Sequence, residues 1–353
     1  MSRKLFPAVV LVLFMISIVL ASCTSQPQTV SSSAVPAHKV YNFRMPRFIP
    51  AAGENWQGFY QAFADRVKSA TGGRINIKLY GSGEIVPVME MWDAVSKGVV
   101  EMAWSFGSYW VGKTPLAGVS TGLPGTCVDF RDAYAHKYYN GVFEIIQQEY
   151  AKHNIYLLNC LPTTEGVIFT KFPVRSVDDL KGKKVRATGF EGEVAAALGM
   201  SVVSLPVAEV VQALESGAID AVIMGGYATG KVYGTGKATG NVVSPPINEG
   251  SGEELIMNLD VWKSLPEDLQ TTLTAVARWT ALDRVGFSAV IAARDLKWMK
   301  DTWGLKEWRL PQSDIVKINA TAIGIYEKTA AKDPAFAKAL GLIKDYMVMK
   351  GYL

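Results

Sequence analysis

Hydrophobic and polar positions follow two periods along this chain, one typical of strands and one typical of helices. The segments "KVYNFRMPRF" and "RINIKLYG" alternate every second residue, which predicts strands. Between them, "FYQAFADRVKSATGG" has apolar residues at helical spacing and ends in a Gly pair, which predicts an amphipathic helix. A further helix, "PVMEMWDAVSKG", and a further strand, "VVEMAWSF", follow. This alternation predicts a largely parallel sheet with helices on its faces.

The same alternation returns in the second half of the chain. "GVIFTK", "KKVRAT" and the buried run "AIDAVIMGG" have the composition of strands, and helical segments lie between the last two. Beyond Pro266 the pattern becomes helical, and Gly286 is the one breaker before residue 304. We therefore expect either one very long helix or two abutting ones, followed by two shorter helices.

The predicted fold class is α/β, with two mostly parallel sheets flanked by helices and a ligand cleft between two domains. A chain of 353 residues exceeds what one hydrophobic core usually supports, which favours two domains braced by the long helix. The predicted boundaries are 39–161 for domain I together with part of 250–285, 162–249 for domain II, and 266–353 for the bracing helix and the C-terminal helices.

The first 23 residues have the pattern of a lipoprotein signal peptide. A positively charged start precedes an apolar run, and "LASC" at Leu20–Cys23 resembles the lipobox that precedes a lipidated cysteine. The alternative is ordinary cleavage near Ala21, with Cys23 incidental. We expect Cys23 to carry lipid and residues 24–38 to form a flexible tether. The protein would then be a membrane-anchored lipoprotein on the periplasmic or cell-surface side.

Composition and motifs exclude several classes of protein. The formal net charge is +4 without a basic, aromatic-rich stripe, which argues against nucleic-acid binding. With three histidines and no CxxC or HExxH, we expect no metal site and no cofactor. Cys127 and Cys160 lie in apolar surroundings, so two buried thiols and one disulfide bridge both remain open.

Catalytic motifs are also absent, so we expect a binding protein and not an enzyme. The chain has no GxSxG, P-loop or GxGxxG motif, and "GSGE" at Gly81–Glu84 is interpreted as a turn. Two alternatives remain. One is a surface lipoprotein hydrolase that uses Glu165 or Glu191 as a base, and the other is a ligand sensor for a signalling partner.

Arg186 is the strongest candidate for a binding residue. It ends the short strand "KKVR" and is followed at once by a new helix, so it lies at a strand carboxyl end, where ligands bind in open α/β sheets. A guanidinium offers planar, bidentate donors that match a carboxylate. The alternative is a local ion pair with one of four nearby carboxylates, Asp178, Asp179, Glu191 and Glu193.

The order of motifs resembles the DctP-type solute receptors of tripartite ATP-independent periplasmic (TRAP) transporters. The matching pieces include "MEMWDAVSKGVVEMAWS", "VRSVDDLKGKKVRATG" and "LGMSVVSLPVAEVVQALESGAIDA", in the family's order. This resemblance implies a periplasmic-binding-protein-like fold and a receptor that delivers an organic acid to one small and one large membrane subunit. The C-terminal segment is most similar to the branch that binds 2-oxo and hydroxy acids, part of which forms homodimers. In the family, the Arg that ends "DLKGKKVR" clamps the ligand carboxylate, and this Arg corresponds to Arg186.

Two departures from the family pattern bear on the ligand. After Asp220, many relatives carry a Glu followed by Asn or Trp, which hold the ligand or a metal ion, whereas this chain has apolar residues at 222–224. Hard cations need oxygen ligands, so this departure from the family pattern argues against a metal-bridged oxo acid. Dicarboxylate-binding relatives also carry a second Arg, for which "TEGVIFTK" offers only Glu165. We therefore expect a ligand with a single carboxylate.

Apolar and aromatic residues cluster at the predicted strand ends. Each one alone has the pattern of an ordinary core residue, but their joint position favours a cleft that accepts an apolar or aromatic group. With Arg186 and Glu165, the candidate ligand-binding residues are Trp104, Tyr109, Phe190, Met224 and Tyr227. The resulting hypothesis is an organic monocarboxylate, 2-oxo acid-like or with an apolar or aromatic body.

Overall fold

The computed structural model describes residues 39–50 and 54–353. The predicted signal peptide, the lipidated Cys23 and the tether at 24–38 lie outside the described residues. Within the described part, no helix has the length and apolar character needed to cross a membrane. The proposed division into two domains with the boundaries given above stays a prediction.

Nine strands and thirteen α-helices make up the described chain. The strands are β1 (Tyr41–Pro46), β2 (Ile75–Tyr80), β3 (Met102–Ser105), β4 (Ile155–Thr170), β5 (Lys184–Arg186), β6 (Ser201–Val203), β7 (Ala221–Gly225), β8 (Asn241–Asn258) and β9 (Lys306–Arg309). The helices are α1 (Glu54–Ala70), α2 (Met91–Ser96), α3 (Leu116–Thr121), α4 (Phe130–Tyr138), α5 (Val142–Ala151), α6 (Gly189–Ala197), α7 (Val210–Glu215), α8 (Tyr227–Val232), α9 (Thr235–Thr239), α10 (Leu259–Lys263), α11 (Glu267–Trp303), α12 (Gln312–Ala330) and α13 (Pro334–Met349). The α/β class with flanking helices is confirmed.

The sheets have mixed strand directions. β1 pairs with β2 in parallel, and a second sheet has the order β3-β8-β4-β7-β5-β6, with β9 beside β8. Within it β5 is parallel to β6 and β7, but β8 runs antiparallel to β3 and β4, and β4 runs antiparallel to β7. The parallel pairs follow helical crossovers, as predicted. The antiparallel pairs all involve the two long strands β4 and β8, which the sequence pattern did not identify as continuous strands.

β4 and β8 run through the whole larger sheet and position the site. They are 16 and 18 residues long, well above the usual strand length. Their register shifts repeatedly between Leu157 and Ile168, and such bulges bend a strand locally. The bends occur where the sheet passes from its β3 side to its β7 side, beside the cavity described below.

α11 is one continuous helix of 37 residues, about 55 Å long at 1.5 Å per residue. This resolves the two alternatives left open by the sequence. Its buried positions recur every three or four residues, and it packs against α1, β4 and α8. It ends at Gly304, whose φ of 68° is the left-handed conformation that commonly caps a helix. The helix thus contacts elements from distant parts of the chain, and its role as a brace between two domains stays a prediction.

Cys127 and Cys160 are both free and buried. Burial raises the pKa of each thiol to about 12, so both are protonated at physiological pH. The alternative left open by the sequence is therefore decided in favour of two separate buried thiols.

Candidate functional site

A cavity of about 310 Å³ lies at the carboxyl ends of β1, β3, β5 and β7. This is the edge at which the strand order predicts a ligand crevice. The lining residues are Phe48, Ile49, Pro50, Tyr60, Phe106, Tyr109, Arg186, Val207, Met224, Gly225, Thr229, Val232, Tyr233 and Glu253. Most of them are apolar or aromatic, so the few polar groups stand out.

Arg186 is held rigidly at the cavity wall. It is the last residue of β5, between β6 and β7, and only 3% of it is exposed. Its Nε donates to the carbonyl of Leu205 at 2.9 Å and its Nη1 to the carbonyl of Ile223 at 3.1 Å. Its Nη2 donates to the hydroxyl of Tyr109 at 3.3 Å. Two backbone carbonyls, one in the loop after β6 and one within β7, therefore fix the plane of the guanidinium.

No carboxylate of the described residues forms a salt bridge with Arg186. Of the local alternatives, Asp178 pairs with Lys181 and Lys317, and Asp179 accepts backbone N–H groups at the start of its turn. A guanidinium has five N–H donors, and the three bonds above leave one on each terminal nitrogen. Two parallel donors on a buried cation match the two oxygens of a carboxylate, and a buried charge without a counter-ion is costly until such a partner arrives.

Tyr109 and Met224 are brought to the same cavity as Arg186. Tyr109 lies in the short turn Gly107–Trp110 just after β3, and Met224 lies near the end of β7. The hydroxyl of Tyr109 accepts from Arg186 and keeps its own hydrogen for another acceptor. These three sequence-predicted residues therefore meet, and their roles in binding stay predictions.

Trp104 and Phe190 lie outside the cavity lining, and their predicted role in ligand binding stays a prediction. Trp104 is fully buried inside β3, edge-on to Tyr60, and its Nε1 donates to Glu253 Oε2 at 2.5 Å. Phe190 is 2% exposed and packs against Tyr326 and Phe336 on the C-terminal helices. Both side chains are covered by neighbouring helices, Trp104 by α1 and Phe190 by α12 and α13.

Glu165 and Tyr227 lie beside the cavity, and neither lines it. Glu165 is in the bulged middle of β4, where its carbonyl accepts from the N–H of Gly226 at 2.6 Å. Burial raises the pKa of the Glu165 carboxyl to about 7. Tyr227 starts α8, and burial together with the nearby Glu165 charge raises the pKa of its hydroxyl. Direct contact of these two side chains with a ligand therefore stays a prediction, which the lining of the cavity does not support.

Several lining residues were not identified from the sequence. Phe48 and Ile49 follow β1, whose end meets β3 through a bridge between Arg47 and Trp104. Arg186 was identified by the rule that ligands bind at the carboxyl ends of strands, here called the strand-end rule, and this rule applies to Phe48 and Ile49 as well. Glu253 was missed because it lies on β8, which the pattern did not reveal.

Glu253 lines the cavity but its charge is already offset. It is 4% exposed and accepts from Tyr60 Oη at 3.1 Å, from Trp104 Nε1 and, through Oε1, from Arg284 Nη2 at 3.1 Å. Arg284 is fully buried on α11. Since Arg284 balances Glu253, the charge that the cavity offers to a ligand is that of Arg186.

Glu191 lies behind the cavity wall and makes the free energy of unfolding depend on pH. It is 4% exposed and accepts from Asn248 Nδ2 at 3.2 Å. Burial raises its pKa to about 7, opposed by that hydrogen bond and by the Arg186 charge. A raised carboxyl pKa stabilises the fold fully below the unfolded pKa, about 4.5, and this stabilisation disappears as the pH rises through 7.

We therefore expect Glu191→Gln to flatten the pH dependence of stability. Between about pH 5 and about pH 8, the free energy of unfolding of the wild type should fall by about 3 kcal/mol more than that of the variant. Urea unfolding across this range measures the difference. The control is Glu209→Gln, an exposed carboxylate, which should follow the wild type. Equal slopes for wild type and Glu191→Gln would contradict the assignment.

The cavity is suited to binding, and nothing among its described residues forms a nucleophile with a base. The bases named for the hydrolase alternative, Glu165 and Glu191, both lie outside the lining. What the cavity presents is one buried cation, tyrosine hydroxyls and an extended apolar wall. This arrangement holds an organic anion in a defined orientation.

Comparison with known proteins agrees with this geometry. The profile of DctP, described as bacterial extracellular solute-binding protein, family 7, matches residues 49–332. A monocarboxylate 2-oxoacid-binding periplasmic protein of Nostoc sp. is 30% identical over 90% of this chain and 86% of its own length. A TRAP periplasmic solute-binding protein of Colwellia psychrerythraea, solved with calcium and pyruvate, is 27% identical with a TM-score of 0.81, over 87% of this chain and 94% of that one.

Another solved TRAP periplasmic solute-binding protein, from Pseudoalteromonas atlantica, holds sodium and pyruvate. It is 27% identical with a TM-score of 0.82, over 88% of this chain and 95% of that one. The family profile covers most of the chain and the relatives match at nearly full length. The chain therefore belongs to the DctP family of bacterial extracellular solute-binding proteins, and it is an extracytoplasmic receptor of the TRAP transporter type.

Proposed function

We propose that this receptor binds an organic monocarboxylate, a 2-oxo acid or a related acid with an apolar body, and that Arg186 anchors the carboxylate. The observation that carries the proposal is a buried guanidinium at the cavity wall with no carboxylate partner among the described residues. Three hydrogen bonds fix its plane and leave two donors for a ligand. Binding therefore gives Arg186 the carboxylate partner that it does not have among the described residues.

The relatives support this ligand class. The Nostoc protein is named for 2-oxoacid monocarboxylates, and the two TRAP proteins solved at 27% identity hold pyruvate. Those ligands share one carboxylate and a short carbon skeleton. A site built around a single arginine suits the same class of anion.

The lining of the cavity favours an apolar body on the ligand. Phe48 and Phe106 stack at 5.7 Å between ring centroids, and Val207 and Met224 extend the apolar wall. No lysine and no second arginine is present in the described lining. A second carboxylate would lose its hydration without gaining a cation, so dicarboxylates should bind poorly.

The described residues do not fit the cation that some relatives hold. Calcium takes six to eight oxygen ligands. Here the one lining carboxylate, Glu253, already accepts from Tyr60, Trp104 and Arg284. The side chains at 222–224 are apolar, and no group of three acidic, His or Cys residues in the described chain could hold a metal ion. We therefore propose binding without a metal.

The remaining parts of the proposal concern partners and location. The receptor would deliver its ligand to one small and one large TRAP membrane subunit from the periplasmic or cell-surface side, held there by lipid on Cys23. A homodimer through the C-terminal helices and the two-domain boundaries given above belong to the same proposal. The hydrolase alternative is disfavoured because its candidate bases lie outside the cavity. The sensor alternative is tested by the neighbouring genes. If genes for two membrane subunits lie next to the gene of this protein, they indicate transport and not signalling.

A thermal-shift screen of the mature protein tests the proposal. A ligand that binds only the folded state raises the unfolding midpoint by mass action. We expect branched or aryl 2-oxo and related monocarboxylates to raise it, and four-carbon dicarboxylates to leave it unchanged. If no monocarboxylate shifts the midpoint, or if dicarboxylates give the largest shifts, the proposed ligand class is wrong.

A further inference from the structure

Tyr233 presents a hydroxyl group that the fold itself does not use. The residue follows α8, and its side chain lines the cavity. Its Oη is buried and has no hydrogen-bond partner among the described residues. Buried polar atoms are nearly always paired, and an exception calls for an explanation such as an absent ligand.

The hydroxyl of Tyr233 faces the same region as the carboxylate anchor. Burial raises the pKa of the Tyr233 hydroxyl, and the Arg186 charge opposes this only in part, so the phenol stays protonated and can donate. Tyr109 reaches this region from the turn after β3, whereas Tyr233 comes from the segment after α8. A ligand held by Arg186 therefore has phenol donors on two walls.

A carboxylate bound to Arg186 does not require the donor on the second wall. The two remaining N–H groups of Arg186 and the hydrogen of Tyr109 already supply donors to its two oxygens. In a 2-oxo or 2-hydroxy acid, one more oxygen is attached to the carbon next to the carboxylate, and this oxygen accepts a hydrogen bond. A 2-ammonium group cannot accept one and is repelled by the Arg186 charge.

We propose that Tyr233 is a specificity-determining residue that donates a hydrogen bond to the C2 oxygen of a 2-oxo or 2-hydroxy monocarboxylate. This inference rests on the proposed function and adds the residue that distinguishes these acids from 2-amino and unsubstituted acids. In this proposal the Tyr233 phenol contacts the C2 oxygen, and no metal ion is needed for its recognition.

Isothermal titration of the mature protein with two acids tests the role of Tyr233. One is a branched 2-oxo acid and the other is the acid of the same carbon skeleton without the C2 oxygen. We expect Tyr233→Phe to weaken binding of the 2-oxo acid by about 3- to 12-fold, the effect of one neutral hydrogen bond. Its affinity for the unsubstituted acid should not change. The matched control is Tyr139→Phe, a tyrosine 80% exposed, which should bind both acids as the wild type does.

The outcomes separate this inference from the proposed function. If Tyr233→Phe weakens both acids equally, or neither, the role of Tyr233 is wrong while the anchor at Arg186 stands. If a chelator abolishes binding to the wild type, recognition depends on a metal and the inference is overturned. If the wild type binds neither acid, or Arg186→Gln binds as tightly as the wild type, the proposed function fails and the inference fails with it.

Discussion

Replacing Arg186 by Gln is expected to weaken monocarboxylate binding by about 100- to 1,000-fold. The change removes two charge-assisted hydrogen bonds to the ligand, each taken to contribute about 1.5–2 kcal/mol, the lower part of the usual range for charged groups. Glutamine can still donate to a carbonyl, but it has no charge to offset the ligand carboxylate. Isothermal titration with the best ligand of the thermal-shift screen measures the loss.

The matched control for Arg186 is Lys184→Gln. Lys184 lies two residues earlier on β5 and is exposed. The substitution therefore removes a cation from the same strand without changing the cavity. Its affinity should remain within about two-fold of the wild type because an exposed charge is well screened. Circular dichroism of both variants checks that β5 still folds. Binding by Arg186→Gln within three-fold of the wild type would contradict the anchor role.

Arg186 could be predicted because its position follows from local pattern alone. A short strand ends at the residue, and a helix starts almost immediately after it, so the side chain must lie at the carboxyl edge of the sheet. The same clear periodicity predicted α1 and β2, and it predicted helical structure over the region of α11 while leaving one helix or two open. Where one hydrophobic period dominates a segment, the sequence is sufficient to predict whether it is a helix or a strand.

β8 shows where the pattern was insufficient. Its sequence "NVVSPPINEGSGEELIMN" contains two prolines and two glycines, which interrupt any alternation. Its extended conformation comes from pairing with β3 and β4, and this long-range pairing leaves no local periodicity. Glu253 was missed for this reason, and with it the ion pair to Arg284.

The strand-end rule also identifies an edge but not which side chains face the cavity. Trp104 lies inside β3 and is covered by the side chains of α1, whereas Phe106 and Tyr109 lie beyond the end of the strand and line the cavity. Phe190 is on α6, on the side that contacts α12 and α13. Which face is covered depends on helices far away in the sequence, and apolar composition does not reveal it.

Replacing Arg284 by Met is expected to lower the free energy of unfolding by about 3–5 kcal/mol, the usual cost of removing one partner of a buried ion pair. Glu253 would stay buried with Tyr60 and Trp104 as donors but without the cation that balances its charge. Met has a similar length and fills the space above the ring of Phe59, so the loss reflects charge more than packing. Urea unfolding at neutral pH measures the change.

Two further variants isolate the charge effect at Arg284. Arg294→Met changes an arginine on the same helix whose side chain is 52% exposed. Lys231 still pairs with Asp295 in this variant, so the free energy of unfolding should fall by less than about 1 kcal/mol. The double variant Glu253→Gln with Arg284→Met removes both charges and should recover a large part of the loss. If Arg284→Met costs no more than Arg294→Met, or if the double variant is less stable than Arg284→Met alone, the buried ion pair does not stabilise the cavity wall as the geometry predicts.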